Sequence, residues 1–111
     1  METKSREQIV AEFAKAWETL DAELIISNLD ECFVYDSQWV LASLNYYGYK
    51  DYIQGKFRTI KETGNTPKVK IVPDNYFGGS MIALQQGENA PAFYRIKVKN
   101  GKVIKGDLCM F

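Results

Sequence analysis

The chain contains no histidine. That absence removes imidazole acid–base catalysis, Ser-His-Asp and Cys-His nucleophile pairs, and His-ligated metals from its own repertoire. Cysteine is nearly as scarce. Cys32 and Cys109 are the only two, too few for a disulfide framework and too far apart to read as a zinc pair. Both are expected as free, mostly buried thiols in a reducing compartment. No apolar run approaches the ~20 residues of a membrane span, and the polar start from Met1 to Ser5 has no signal core, so a cytoplasmic location is expected. Phe77-Gly78-Gly79-Ser80 is too short for a phosphate-binding loop and reads as a turn. No metal and no cofactor are expected.

Net charge is absent too, but charge itself is not. Residues 1–54 carry ten Asp/Glu against four Lys/Arg, a balance of −6, and residues 55–111 reverse it to +6. Such blocks give a molecule with an acidic and a basic side. Most surface charge serves solubility; the sharper expectation is head-to-tail association or an acidic partner on the basic side. With 111 residues the chain is one domain, 1–111, and 46% hydrophobic residues supply one core.

Hydrophobic period then divides the chain. Ser5 and Gln8 fit a capping box that opens a helix near Arg6. Ile9, Phe13, Ala16, Trp17 and Leu20 recur at three- and four-residue steps, which puts them on one face. Asp21 caps a short second helix carrying Leu24, Ile25 and Leu29. Aromatic and β-branched residues then predict a strand over 32–38 and a shorter one over 39–44. Phe33, Tyr35, Ser37 and Trp39 share a face of the first. Gly48 precedes a third helix from Tyr49 to Thr63, closed by Gly64 with Pro67 beyond. Strands follow over 68–72, 80–86, 92–99 and 103–111. In the third of these Ala92, Tyr94, Ile96 and Val98 face one way. In the last, Ile104, Gly106, Leu108 and Met110 form the apolar face. Asn100-Gly101 is the strongest hairpin signal, because a type I′ turn needs positive φ at both residues.

This order resembles the nuclear transport factor 2-like superfamily, the cone-shaped α+β fold also called cystatin-like. The resemblance rests on the first-helix stripe ending at Trp17 and then Asp21, on Leu29-Asp30-Glu31-Cys32-Phe33-Val34-Tyr35, on Gly48 opening the third helix, and on the Asn100-Gly101 hairpin before a terminal strand. It covers nearly the whole chain. It implies an α+β class in which three N-terminal helices pack on a strongly curved mixed, mainly antiparallel sheet. The superfamily holds ketosteroid isomerases, polyketide cyclases, dehydratases, epoxide hydrolases, transport factors and association domains, so fold does not convert into activity.

The resemblance also implies a cone pocket between helices and sheet. Its lining would be Phe13, Trp17, Tyr35, Ser37, Trp39, Tyr52, Phe57, Tyr94, Ile96, Leu108 and Met110. The alternative is that these rings simply fill the core. Against the steroid isomerases, the general-base Asp falls at Ser37, a Tyr donor at Phe13 and a protonated Asp donor at Tyr94. Only Tyr94 keeps a donor. Asp36 is the nearby carboxylate, and alternation turns it to the opposite strand face unless a bulge intervenes. Tyr94 and Asp36 are therefore the catalytic candidates.

Lys68, Lys70, Arg95, Lys97, Lys99, Lys102 and Lys105 crowd the sheet half, but zero net charge and no binding motif argue against nucleic acid. Arg95 and Asp107 are expected to pair across strands for ~0.5 kcal/mol. Cys109 and Phe111 on that outer face suggest the superfamily's homodimer packing. Three functions follow: a dimeric module holding a small apolar molecule, a cofactor-free isomerase, cyclase or lyase acting on a polyketide- or steroid-like substrate, and a ligand-free interaction domain.

Overall fold

A computed structural model describes residues 4–37, 43–75, 78–88 and 90–110, with Cys109 and Met110 described by backbone alone. Helix α1 spans Arg6–Thr19 and opens on the expected capping box. Gln8 N–H donates to Ser5 Oγ at 3.2 Å, and Ser5 N–H donates to Gln8 Oε1 at 2.8 Å. Two otherwise unpaired donors are satisfied reciprocally. The helix ends at Leu20, which adopts the left-handed conformation (φ 57°) usually left to glycine, with its side chain buried. Helix α2, Glu23–Ile26, is a single turn. Asp21 Oδ1 accepts from Glu23 N–H at 3.1 Å in front of it.

Strand β1 covers Leu29–Ser37 and so begins earlier than expected. Leu29 belongs to it and not to α2. Strand β2 is only Leu44–Asn45; most of the strand expected over 39–44 lies outside the described residues. Helix α3 runs Tyr46–Thr63, opening at Tyr46 and not Tyr49. Its cap is Asn45, whose Oδ1 accepts from Gly48 N–H at 2.9 Å, an interaction that stabilises a helix start by about 1 kcal/mol. Gly48 sits in the first turn. Gly64 closes the helix at φ 71°.

Strands β3 (Lys68–Pro73), β4 (Ser80–Gln85), β5 (Ala92–Lys99) and β6 (Lys102–Met110) form an antiparallel meander. Asn100 (φ 52°) and Gly101 (φ 73°) make the tight turn between β5 and β6. The sheet order is β2-β1-β6-β5-β4-β3, with β1 and β6 parallel, so it is mixed and mainly antiparallel. Of the three helices two are long, and the third in the chain follows β1 and β2 instead of preceding the sheet.

Helix α1 packs over β3 and β4, and α3 over β1 and β2. Both lie on the sheet face that carries Tyr35, Ile82, Tyr94 and Ile96, all buried. Alternation fails in one place. From Lys97↔Lys105 to Val98↔Val103, β6 advances two residues while β5 advances one. This bulge turns Val103 into the core, fully buried, and leaves Ile104 half-buried on the other face. Ile104 is thus not on the inner face expected for it. Cys32 is likewise exposed and not buried, because Phe33 and Tyr35 take the inner side of β1.

The outer face carries the expected ion pair. Arg95 and Asp107 stand opposite each other in register, with Nη2 2.6 Å from Oδ2. Among the described residues no helix is long and apolar enough to cross a membrane.

Candidate functional site

The inner sheet face reads as rows. Ser37, Leu108, Tyr94 and Ile82 follow one another across β1, β6, β5 and β4, and the next row holds Tyr35, Gly106 and Ile96. Over these rows α1 lowers Phe13 onto Tyr94, with ring centroids 5.8 Å apart. One turn on, Trp17 meets Phe57 of α3 edge-on at 4.8 Å. Helix α3 brings Tyr49 and Tyr52 at three-residue spacing, which places both on one face. Tyr49 lies 4.5 Å from Tyr35 and 5.0 Å from Phe33; Tyr52 lies 5.7 Å from Tyr35. Such pairs add roughly 0.5–1.5 kcal/mol each beyond their burial.

Four phenols therefore converge: Tyr35, Tyr49, Tyr52 and Tyr94. The Tyr94 hydroxyl donates to the Tyr49 hydroxyl at 2.9 Å. Tyr35 is within hydrogen-bonding reach of Ser37 and Tyr52. Burial pushes the Tyr35, Tyr49 and Tyr94 hydroxyls well above the ordinary phenol range, since an anion there would have no water around it. These phenols stay protonated. They can donate hydrogen bonds, but they are poor acids. Ser37 and Tyr52 are only half-buried and form the accessible end of the cluster.

Gly106 makes this arrangement fit. A Cβ there would lie 2.6 Å from Tyr94 Oη, closer than atoms pack, and 3.1 Å from Phe33 Cζ, a tight contact. The missing side chain is the notch across which the Tyr94 ring leans toward Tyr35, 6.0 Å away. Gly106→Ala is expected to lower the unfolding free energy by about 1–3 kcal/mol in urea titrations, and by less when Tyr94→Phe has already removed the nearest atom. Equal cost in both backgrounds would mean that the hydroxyl is not what the glycine accommodates.

Of the residues expected to line the cone, Phe13, Trp17, Tyr35, Phe57, Tyr94, Ile96 and Leu108 are brought together in one buried cluster, with Tyr52 and Ser37 at its margin. Trp39 lies outside the described residues. Met110 is paired by its backbone with Ala92. Asp36 is not brought to Tyr94. It stands on the outer face, accepts from Ser43 Oγ, and lies 3.7 Å from Lys105 Nζ. Tyr49 and Gly106 went unread as site residues. The helical spacing from Tyr49 to Tyr52 and Phe57 was the available signal for the first. Among the described residues no group of three or more His, Cys, Asp or Glu is placed to hold a metal.

Two long helices laid across one face of a six-stranded mixed sheet are the architecture of the nuclear transport factor 2-like fold, and solved structures match it along nearly the whole chain. A SnoaL-like protein of unknown function from Burkholderia thailandensis superposes with a TM-score of 0.74 over 99% of each chain, at 15% identity. An NTF2-like protein of unknown function from Cytophaga hutchinsonii gives 0.67 over 100% of this chain and 95% of that one, at 14% identity. An LEH-like epoxide hydrolase from M. tuberculosis gives 0.60 over 94% of this chain and 76% of that one, also at 14% identity. At these identities the likeness is one of fold. No protein-family model and no curated protein matches the sequence.

Proposed function

We propose that the face between α1 and α3 receives a small, uncharged, largely apolar molecule, and that the protein is a binding module. One observation carries this reading. Tyr49 and Tyr94 hold two hydroxyl protons, and the bond between them uses one. Among the described residues the second proton has no acceptor, although both side chains are buried. Stranding a buried donor costs about 1–3 kcal/mol, and an acceptor atom on a ligand removes that cost. Rings with phenol tips are what small-molecule sites use to combine apolar contact with orientation. The ligand is uncharged because Asp74 is the one charged side chain buried among the described residues, and it is paired with Arg6 outside this cluster.

A second reading, a cofactor-free isomerase or cyclase, draws on the phenols as donors to a developing negative charge. The nearby carboxylate, Asp36, faces away, so binding comes first. We further propose that two copies associate through the outer sheet face, where Val34 is exposed at the β1 end. Native mass spectrometry of the purified protein tests these together. The expected spectrum is a dimer carrying an added small-molecule mass that Tyr49→Phe/Tyr94→Phe loses. A mass that changes on incubation favours the enzyme, and a bare chain with no adduct removes the binding reading.

A further inference from the structure

A second buried donor lies on α1, the helix whose Phe13 seats on Tyr94. The Trp17 indole Nε1–H is buried and has no hydrogen-bond partner among the described residues. Its ring neighbour, Phe57, offers no acceptor. Trp17 lies on the same face of α1 as Phe13, about one helical turn further along than the ring that seats Tyr94. Buried polar groups in native proteins are paired with few exceptions, and an exception calls for a missing partner. Trp17 is one such exception, and the Tyr49–Tyr94 pair, bonded within itself, has one proton to spare under Phe13 of the same helix; together they supply donors at two separate places beneath α1.

We propose that the molecule held between α1, α3 and the sheet is a neutral compound with two separate hydrogen-bond acceptors. One acceptor takes the spare proton of the Tyr49–Tyr94 pair, and the other takes the Trp17 indole N–H. This rests on the binding reading above and narrows it. Both unmet groups are protons seeking lone pairs, so ligand atoms facing them accept. Neither donor is charged, so carbonyl or ether oxygens match them, whereas a carboxylate would be buried without a counter-ion. The rest of the surface is ring and aliphatic, so the scaffold between the acceptors is hydrocarbon.

The test uses three probes of one shape: trans-decalin, 1-decalone and 1,5-decalindione, titrated calorimetrically into the wild-type protein. The expected order is dione tightest, with each lost acceptor weakening binding about tenfold. In Trp17→Phe the dione is expected to bind no better than the monoketone binds wild type, and the same holds in Tyr49→Phe/Tyr94→Phe. Circular dichroism confirms that each variant is folded, and the three-probe order in wild type stands without any variant. If dione and monoketone bind equally well while decalin binds weakly, the two-acceptor proposal falls and the binding reading survives. A dione preference unchanged in Trp17→Phe also overturns it. If none of the three binds, the binding reading itself fails, and this proposal with it.

Discussion

Raising the pH past about 10 is expected to unfold this protein steeply. Tyr35, Tyr49 and Tyr94 have hydroxyls raised above the unfolded value of 10.0, chiefly by burial. In the unfolded chain these phenols ionise near that value; in the folded chain they do not. Their contribution is fully present below about pH 10. It is lost as pH climbs from there toward the folded values, because the unfolded state then binds fewer protons. Each such phenol removes about 1.4 kcal/mol per pH unit once well past its unfolded value, so three together approach ~4 kcal/mol per unit. Urea midpoints from about pH 8 to pH 11, followed beside phenolate ultraviolet absorbance, provide the check. The three phenols should ionise only as the protein unfolds, and Tyr94→Phe should flatten the slope. Complete tyrosine ionisation with the fold intact would contradict the burial argument.

Arg6→Ala carries the other large effect. Arg6 is the first residue of α1 and ties β5, β4 and the residue after β3 to it. Nη1 donates to the Ile96 carbonyl, and Nη2 donates to the Ser80 carbonyl at 2.9 Å and lies 3.3 Å from Asp74 Oδ2. The Asp74 side chain is 1% exposed. Losing the guanidinium leaves that carboxylate buried without its cation, a change that typically costs about 3–5 kcal/mol. Arg6→Lys keeps the charge but cannot reach three oxygens with one planar fork, so it should fall between wild type and Ala. Adding Asp74→Asn to Arg6→Ala should recover part of the loss, since no buried negative charge then remains. Chemical denaturation with the double-mutant cycle measures this. Additive losses would show that the two side chains do not act as a pair.

Neither effect could have been read from pattern alone. Arg6 looks like an ordinary polar residue in a first turn, and its partners lie far along the chain. What pattern does convey is local. Ser5 and Gln8 announce the start of α1 because a capping box is written in adjacent residues. Gly64 and Asn100-Gly101 announce their turns because positive φ selects them. Two starts were misplaced for equally local reasons. Gly48 drew attention from Asn45, the real cap of α3, and the run before Cys32 read as helix although Leu29 already pairs in the sheet. The left-handed end of α1 at Leu20 carries no glycine to mark it.

The site was legible as a set of rings on matching faces and illegible as a geometry. Tyr94 and Ile96 turn inward because alternation along β5 is unbroken. Ile104 does not, because one bulge near the hairpin reverses the two residues beyond it. That Tyr49 meets Tyr94 depends on how far α3 stands above the sheet, a distance set by Phe33, Phe57 and the empty place at Gly106. No spacing rule contains that distance.

The place of β6 in the sheet has a consequence for biosynthesis. This strand lies between β5 and β1 and is, among the described residues, the one long neighbour β1 has. A nascent chain can assemble β3 to β5 as they emerge, yet β1, made early, has among the described residues only the two-residue β2 to pair with until residues 102–110 have left the ribosome. Until then the phenol of Tyr35 and the ring of Phe33 have no β6 beside them. Of these six strands, the one translated after all the others is therefore the one that closes the core.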